Sequence, residues 1–451
     1  MFLEFISFLS SFEELLWSYV AFPAFLITGI FLTWKSRAVQ IRKIPWVVKN
    51  FFSFFCRGSS CESSGVHPLK TFFACIGGCV GIGNVVGIAL AVKIGGPGAV
   101  FWIWVTAFIG AIVKYCDVFL GMMYRVKVSD GWRGGPMYVL RKAFSQKWLV
   151  SLFCFLMCLY CVEIFQFSVA TTNVAYNIGI SKHYVALFFL ALVAIAELGG
   201  VNRVGTICSA IIPAFIFIYL GLGLYVIGAN IDQIPHVFGQ IFTCAFTGHA
   251  AVGGFVGSTL LLAASQGMSS GCYSCDIGVG YASIIHSESS NTNPHRQAAL
   301  TIFDVLLDTF GICTMSALIV LVTGAWTTTV DPTMIIQQAF SNYFPYMNWF
   351  IPILLSLLGY SVVTTYFCAG MKTASFLSPR WGRTIYYIYS AIILTIFSFV
   401  DTECAKSVMF GILAMLLLLN LSTTWRMRRM LNFDLDSQGE GETLREEIAV
   451  N

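Results

Sequence analysis

The sequence predicts an all-α bundle that crosses a membrane many times. Of its 451 residues, 57% are hydrophobic and only 11% are charged, whereas soluble domains carry about 25% charged residues. Apolar segments of about 20 residues, long enough to cross a bilayer as helices, recur along the chain without the alternation of a β-strand. We therefore expect a single membrane domain over residues 1–425, followed by a polar cytoplasmic tail at 426–451.

Eleven apolar segments are candidate membrane spans. They lie near residues 15–34, 71–93, 98–124, 148–178, 184–200, 204–229, 251–285, 298–325, 349–371, 384–400 and 405–425. Loops on the cytoplasmic side carry an excess of Lys and Arg. With the N-terminus outside, 22 of the 26 Lys and Arg residues fall in predicted cytoplasmic segments. This distribution predicts a multi-pass protein of the plasma (inner) membrane with a cytoplasmic C-terminus, and nucleic-acid binding is not needed to explain it.

The second and seventh spans are interrupted by glycine and small polar residues. The second contains GGCVGIGN at 77–84, and the seventh contains LLAASQGMSSGCYSCDIGVG at 261–280. Glycine costs about 1 kcal/mol relative to alanine in a helix, and non-helical backbone at membrane depth is tolerated only where it is buried in protein or lines a cavity. The sequence therefore predicts breaks near Gly81–Gly83 and Gly267–Gly271. Close helix packing at the glycines is the alternative interpretation.

The two interrupted spans are five apart, so spans 2–11 divide into two blocks of five. Because five is odd, the second block is inverted relative to the first. We predict a 5+5 inverted repeat with repeat 1 at 71–229 and repeat 2 at 251–425, preceded by an extra N-terminal helix and a basic cytoplasmic loop at 1–70. Paired broken spans in two halves are typical of a transporter binding site. Amides at half-helix ends suit a carboxylate, and free carbonyl oxygens suit Na⁺ or an ammonium group.

Polar side chains also lie inside other spans. Three hydroxyl groups share one face of span 9, namely those of Ser361, Thr364 and Thr365. Neutral oxygens of this kind suit a hard cation, although they can also bond back to their own helix. Glu163 in span 4 is an intramembrane carboxylate, so it is either a candidate proton carrier or an acid satisfied by a neighbouring helix. Lys114 and Asp117, three residues apart in span 3, are expected to neutralise each other.

Longer motifs carry a resemblance to a known family. The stretches GGCVGIGNVVGIALAVKIGGPGAVFWIWVTAFIGAIVKYCDVFLGMMYR (77–125) and GWRGGPMYVL (131–140) resemble the signature region of the alanine or glycine:cation symporter family. Weaker matches continue to about residue 425. The resemblance implies a five-plus-five inverted repeat behind one extra helix, and uptake of a small neutral amino acid, alanine or glycine, driven by Na⁺.

The resemblance also implies roles for individual residues. The amides of Ile82 and Gly83 would face the substrate carboxylate, and Gln166 would contact the substrate. The glycines at the two breaks, Gly81, Gly267 and Gly271, are further candidate substrate-binding positions. One cation would bind the Cys79 carbonyl and the Asn84 side chain. A second would bind two carbonyl groups of the break and the hydroxyls of span 9, the residues being Gly77, Val80, Ser361, Thr364 and Thr365. Val362 replaces one hydroxyl that the family carries at this second position.

Two other functions stay open at the level of the sequence. The missing hydroxyl and the presence of Glu163 make a proton-coupled symporter or an exchanger the first alternative. An intramembrane enzyme is less favoured, because the sequence contains no hydrolase, metalloprotease or kinase motif. No cofactor is implied apart from Na⁺ as the coupling ion, and the oligomeric state is left open.

Overall fold

The computed structural model describes residues 2–56, 65–128, 131–197, 200–247, 260–328, 331–433 and 435. These residues are almost entirely helical, apart from one hairpin in which β1 (Val126–Val128) pairs antiparallel with β2 (Gly131–Arg133). The helices are α1 (Phe2–Leu16), α2 (Phe22–Lys35), α3 (Val39–Arg42), α4 (Ile44–Cys56), α5 (Pro68–Cys79), α6 (Ile88–Gly95), α7 (Gly98–Met123), α8 (Pro136–Ala143), α9 (Lys147–Tyr160), α10 (Ile164–Ile178), α11 (Lys182–Glu197), α12 (Gly200–Ala229), α13 (Ile234–Thr247), α14 (Leu260–Ser274), α15 (Tyr281–His286), α16 (Pro294–Val305), α17 (Thr314–Val322), α18 (Ile335–Ser341), α19 (Met347–Leu377), α20 (Gly382–Phe397) and α21 (Thr402–Arg426). The described chain also contains three π-helical segments next to these helices, at Trp17–Ala21, Gly83–Gly87 and Leu306–Cys313.

Many of these helices are long and apolar enough to cross a membrane. In the described chain there are seven such stretches, Leu9–Lys35, Gly98–Met123, Lys147–Ile178, Val201–Ala229, Pro294–Val322, Met347–Leu377 and Thr402–Arg426, or eight with the bent pair Pro68–Cys79 and Gly83–Gly95. Two shorter apolar helices, Lys182–Val193 and Gly382–Phe397, coincide with predicted spans 5 and 10. The all-α membrane bundle is confirmed, whereas the number of eleven spans and the repeat boundaries stay predictions.

Parts of several predicted segments lie outside the described residues, including 129–130 of the second cytoplasmic loop and 198–199 of span 5. The longer stretches are 57–64 of the basic loop, 251–259 at the start of predicted span 7, and residues 434 and 436–451 of the predicted tail.

Helix starts in the described chain follow their local sequence. α5 has Pro68 at its first position, where no N–H is needed, and the His67 side chain accepts the Leu69 amide at 3.2 Å. α16 likewise starts with Pro294, and its Asn293 cap accepts the Arg296 amide. Such caps satisfy amides that have no partner within the helix.

The bundle is tightly packed at its centre and apolar on its outside. α7 packs against α14 and α16, and α19 packs against α5 and α10. The outer helices α12 and α20 expose large apolar side chains, among them Phe217, Leu224 and Ile388. Soluble proteins rarely expose extensive apolar surface, but a bilayer would cover it with hydrocarbon.

Contacts between loops bring predicted cytoplasmic segments to one end of the bundle. The contacts are Lys35 Nζ to the Arg428 carbonyl, Arg426 Nε to the Ala143 carbonyl, the Lys372–Glu288 ion pair, and a parallel bridge between Val66 and Ser289. In the predicted map an even number of spans separates the two members of each pair. An even number is required when both members lie on the same side of a membrane, so the contacts agree with the map.

Candidate functional site

Span 2 loses its helix at the glycine-rich stretch, as predicted. α5 ends at Cys79, the second half of the span starts at Gly83, and the two halves are bent by 44°. Val80, the first residue after α5, is extended, with φ −74° and ψ 98°. The break near Gly81–Gly83 is therefore confirmed.

Two side-chain oxygens bind amides that the break releases from the helix. The Gly81 N–H donates to Asn84 Oδ1 at 2.9 Å, and the Ile82 N–H donates to Gln166 Oε1 at 2.8 Å. Asn84 and Gln166 are both buried. The structure thus brings together Ile82 and Gln166, both of which the family resemblance assigns to the substrate. An amide at a helix break that binds a carbonyl oxygen can also bind a carboxylate oxygen.

Neighbouring helices enclose the glycines of this break closely. A Cβ atom on Gly83 would lie 3.0 Å from Tyr273 Cε1. A Cβ atom on Gly81 would lie 2.7 Å from Gln166 Oε1 and would also overlap Val362. Helices α10, α14 and α19 therefore form the walls of the candidate substrate site.

The predicted break at Gly267 and Gly271 in span 7 is wrong. α14 continues through both glycines and ends only at Ser274. A Cβ atom on Gly267 would overlap the Ala99 carbonyl, and one on Gly271 would lie 3.0 Å from Thr106 Cγ2. Both glycines therefore allow α14 to approach α7, which is the packing alternative, and their backbone is helical rather than open to a ligand.

Span 7 is interrupted instead between α14 and α15. Left-handed backbone recurs there, at Asp276 (φ 52°), Gly278 (φ 74°) and Gly280 (φ 100°). Glycine adopts this conformation readily, whereas a residue with a Cβ needs support from its surroundings. Asp276 has such support, because Oδ2 accepts the Ala282 amide at 2.8 Å and Oδ1 accepts the Tyr366 hydroxyl at 3.0 Å. The carboxylate thereby caps the start of α15.

A buried ammonium group connects the two breaks. Lys114 Nζ on α7 lies 2.6 Å from Asp304 Oδ2 on α16, and neither side chain is more than 1% exposed. The same nitrogen donates to the Cys275 carbonyl at 2.6 Å and to Cys79 Sγ at 3.2 Å. Because Cys79 ends α5 and Cys275 directly follows α14, the ammonium lies where two helix dipoles end negative. The predicted pairing of Lys114 with Asp117 is wrong, since the lysine reaches across to α16 instead.

Asn84 links the break in span 2 to span 8. Its Oδ1 accepts the Gly81 amide, while its Nδ2 donates to Asp308 Oδ1. Asp308 also accepts a hydrogen bond from Cys275 Sγ, beside the break in span 7. The cation position implied for Cys79 and Asn84 therefore has a buried carboxylate next to it.

The second implied cation position is assembled only in part. Ser361 Oγ donates to the Gly77 carbonyl at 2.9 Å, which joins span 9 to α5 as the resemblance implies. Thr364 and Thr365 instead donate to carbonyls of their own helix, at 2.6 and 2.9 Å. This back-bonding was the alternative interpretation of their spacing. Of the three hydroxyls, only that of Ser361 forms a hydrogen bond to α5 in the described chain.

Glu163 interrupts span 4 next to the candidate substrate site. It adopts left-handed backbone (φ 53°) between α9 and α10, which is uncommon for a residue other than glycine. Its Oε2 accepts the Tyr273 hydroxyl at 2.6 Å, and the ring of Tyr273 faces Gly83. Less than one turn later on α10, Gln166 binds the Ile82 amide. The acid is therefore separated from the break in span 2 by a single side chain.

The two ends of the site differ. A cavity of about 460 Å³ lies beside α6 and α10, with Val86, Leu90 and Phe165 in its apolar wall. Its other lining residues include the charged side chains Lys182, Asp331, Asp401 and Glu403. At the opposite end, the Val66–Ser289 bridge ties the start of span 2 to the end of span 7. The cavity therefore lies toward the predicted external side of the site, and the bridge lies at the predicted cytoplasmic end.

Three side chains at the site had no role assigned from the sequence, namely Tyr273, Asp304 and Asp308. The two aspartates carried a signal, because acidic side chains are rare inside spans and these two share one helix face. Their partners are not readable from spacing, since Lys114 and Asp304 are 190 residues apart. Nothing in the sequence distinguishes Tyr273 from the other aromatic residues in the apolar spans.

Known transporters are similar to this chain. The sodium:alanine symporter family matches residues 3–436. The sodium/alanine symporter AgcS of Methanococcus maripaludis is 29% identical over 398 residues, covering 86% of each chain. The probable sodium/glutamine symporter GlnT of Bacillus subtilis is 29% identical over 86% of this chain and 80% of its own. YflA, an uncharacterized transporter of Bacillus subtilis, is 30% identical over 81% of this chain and 79% of its own.

Solved transporter structures share the fold. MhsT in complex with L-phenylalanine superposes with a TM-score of 0.61 over 85% of this chain and 96% of its own, at 12% identity. Mhp1, a nucleobase-cation-symport-1 family transporter in a closed conformation, has a TM-score of 0.51 over 87% of this chain and 99% of its own, also at 12% identity.

Proposed function

The chain belongs to the sodium:alanine symporter family, and from that premise we propose that it imports alanine or glycine together with Na⁺. Cation-coupled amino-acid symport is the activity that family membership supports. The observation that carries the proposal is the Ile82 amide, which the break in span 2 frees from the helix and which lies 2.8 Å from Gln166 Oε1.

Binding starts, in this proposal, when the substrate carboxylate replaces Gln166 Oε1 on the Ile82 amide. Hydrogen bonds to an ionised acceptor are shorter and about twice as strong as neutral ones, so the exchange favours the substrate. The released Gln166 amide can then bind the substrate as donor or acceptor.

The walls of the site favour a small substrate side chain. Tyr273 and Val362 approach the Cβ positions of Gly83 and Gly81, and Ile82 Cδ1 lies 3.0 Å from the Cβ position of Gly359. A bulky substrate would have to displace several of these side chains. The proposed substrates are therefore alanine and glycine. Glutamine, the substrate named for the relative GlnT, is larger and is not proposed for this chain.

Charge balance at the two breaks favours a bound cation. The Lys114 ammonium is paired with Asp304, whereas Asp308 receives hydrogen bonds from Asn84 and Cys275. Asp276 and Asp308 are both buried, and neither forms an ion pair in the described part of the chain, so their ionised forms would leave the site with excess negative charge. Because uncompensated buried charge is strongly unfavourable, Na⁺ beside Asp308 would stabilise the loaded site, with the Asn84 and Cys79 oxygens as neutral ligands.

Orientation is part of the proposal. The basic end of the bundle, where Lys35, Lys372 and Arg426 make their loop contacts, is assigned to the cytoplasm by the excess of Lys and Arg there. The N-terminus is then external, and the cavity beside α6 and α10 faces outward.

Ser361→Ala is expected to raise the Na⁺ concentration for half-maximal uptake about fivefold. Loss of one oxygen contact of about 1 kcal/mol corresponds to this factor, and Ser361 is the hydroxyl that reaches the Gly77 carbonyl. Thr365→Val is the matched control, because that hydroxyl donates into its own helix. Na⁺ titrations of alanine uptake measure both. Equal curves for Ser361→Ala and wild type would remove this cation position from the proposal.

Proton coupling is the second candidate, and the buried pair of Glu163 and Tyr273 is the observation that favours it. Under Na⁺ coupling, Glu163→Gln should retain Na⁺-driven uptake within about twofold, because the new amide oxygen still accepts the Tyr273 hydroxyl. Uptake with separate Na⁺ and proton gradients measures this. If the variant exchanges substrate without accumulating it, and wild-type uptake ignores Na⁺, the protein is proton-coupled.

Substrate identity is tested by thermal unfolding of the purified protein with single amino acids, in NaCl and in KCl of equal concentration. We expect alanine and glycine to raise the unfolding temperature in NaCl only, and glutamine and phenylalanine to have little effect. Stabilisation by glutamine without alanine would reassign the substrate.

A further inference from the structure

A groove of about 800 Å³ runs along the outside of the bundle between α2 and α21. Its apolar wall includes Ala24 and Ile27 on α2 and Leu418 and Leu421 on α21. At 1.5 Å per residue, Leu418 lies about 12 Å along α21 from Arg426 at the end of the helix. The groove therefore extends from the basic end of the bundle well into the predicted hydrocarbon region.

Four cationic side chains surround the basic end of this groove, namely Lys142, Arg426, Arg428 and Arg429. Among the described residues that line the groove, none is Asp or Glu. Nor does any of the four form an ion pair with a carboxylate in the described part of the chain. The end of the groove thus carries concentrated positive charge above an apolar channel.

Two of the guanidinium groups are held in place by local contacts. Arg426 donates through Nε to the Ala143 carbonyl and lies over the Phe144 ring at 5.3 Å. Arg428 donates through Nη1 to the Trp425 carbonyl at 2.9 Å and lies over the Trp425 ring at 5.3 Å. Each contact uses one of the five N–H donors of a guanidinium group. Positioned guanidinium forks of this kind suit the oxygens of a phosphate group.

We propose that this groove binds one phospholipid with an anionic headgroup from the cytoplasmic leaflet. One acyl chain would lie against the apolar residues of α2 and α21, and the phosphate would lie among the four cations. Basic pockets between membrane helices on the cytoplasmic side bind such headgroups, and Trp425, 40% exposed, lies where aromatic side chains meet the interface. The bound lipid would link the extra N-terminal helix to the last span of the second repeat.

The acidic C-terminal segment is the rival occupant of the basic end. Residues 436–451 contain five acidic side chains and one arginine, so their charge also complements the four cations. They contain no run of apolar residues long enough to fill the wall formed by Ile27 and Leu418. A phospholipid matches both parts of the groove, which is why the proposal names it.

The test is native mass spectrometry of the purified full-length protein, titrated with phosphatidylglycerol or with phosphatidylcholine of the same acyl chains. We expect one phosphatidylglycerol to remain bound at concentrations at which phosphatidylcholine has dissociated. The variant K142Q/R426Q/R428Q/R429Q should bind phosphatidylglycerol at least tenfold more weakly. The milder variant K142Q/R429Q keeps Arg426 and Arg428, whose guanidinium groups contact backbone carbonyls. It should also weaken phosphatidylglycerol binding. The proposal can therefore be tested even if the quadruple variant does not fold.

The matched control is K147Q/R203Q/R380Q/R383Q, which removes four exposed charges from the same end of the protein but outside the groove. It should bind phosphatidylglycerol as the wild type does. Equal weakening by the control would show that the charge of the whole surface is responsible and would overturn the proposal. Equal retention of phosphatidylglycerol and phosphatidylcholine by the wild type would also overturn it. Tighter phosphatidylglycerol binding after deletion of residues 436–451 would identify the tail as the occupant and would likewise overturn it.

Discussion

Gly83→Leu is expected to lower amino-acid uptake by about a hundredfold or more while the protein still inserts into the membrane. A Cβ atom at this position would already lie 3.0 Å from Tyr273 Cε1, so a leucine side chain must displace the ring or fill the substrate position. A leucine that occupies the substrate position and weakens substrate binding by about 2.8 kcal/mol would produce the hundredfold loss. Initial uptake rates, normalised to the amount of folded protein, measure the effect.

Gly87 provides a matched control in the same π-helical segment. Apart from its chain neighbours and the backbone of its own helix, no described atom lies within 4 Å of a Cβ atom placed on Gly87, whereas one on Gly83 is crowded by Tyr273. Gly87→Ala should therefore leave uptake within about twofold of wild type, and Gly83→Ala should lower it more than Gly87→Ala does. If Gly83→Leu transports at the wild-type rate, the glycine serves helix packing alone and the substrate does not bind beside it.

Lys114→Met is expected to destabilise the folded protein by about 3–5 kcal/mol and to abolish uptake. The substitution leaves Asp304 buried without its ammonium partner, and an unpaired buried charge carries a penalty of this size. It also removes the contacts of Nζ with Cys79 and with the Cys275 carbonyl, which join the two broken spans. Thermal unfolding in detergent and uptake assays measure the two effects separately.

The double variant Lys114→Met/Asp304→Leu separates stability from transport. Replacing both members of a buried ion pair by apolar residues is often neutral for stability, so we expect most of the lost unfolding temperature to return. Uptake should remain absent, because no apolar side chain replaces the ammonium at the two helix ends. If the double variant transports at the wild-type rate, the ion pair supports folding only.

Glycine patterns in spans 2 and 7 look alike in the sequence but have different structural causes. In span 2 the glycines coincide with the loss of the helix, and Ile82 between them exposes its amide to Gln166. In span 7, Gly267 and Gly271 face α7 within an unbroken helix. Both situations require a residue without a Cβ, so spacing alone does not distinguish them.

The side-chain pairings at the site could not be predicted from the sequence either. The sequence shows that Lys114, Glu163 and Asp308 are ionisable residues inside predicted spans. Such residues are energetically unfavourable in a membrane and therefore indicate a functional or structural role. Which partner each one meets depends on how the helices cross, and the sequence-local choice of Asp117 for Lys114 was wrong. Local sequence therefore predicted the class of fold and the break in span 2, and the family resemblance pointed to Gln166 at the substrate site. The tertiary structure was needed for the pairings.

Uptake of radiolabelled alanine into proteoliposomes under an inward Na⁺ gradient tests the central claim most directly. The measurement uses purified protein, equal salt on both sides in the control, and an imposed proton gradient in a separate arm. The proposal predicts accumulation above the equilibrium level with the Na⁺ gradient only, and loss of that accumulation when K⁺ replaces Na⁺. Accumulation that follows the proton gradient and is unchanged by removal of Na⁺ would contradict it.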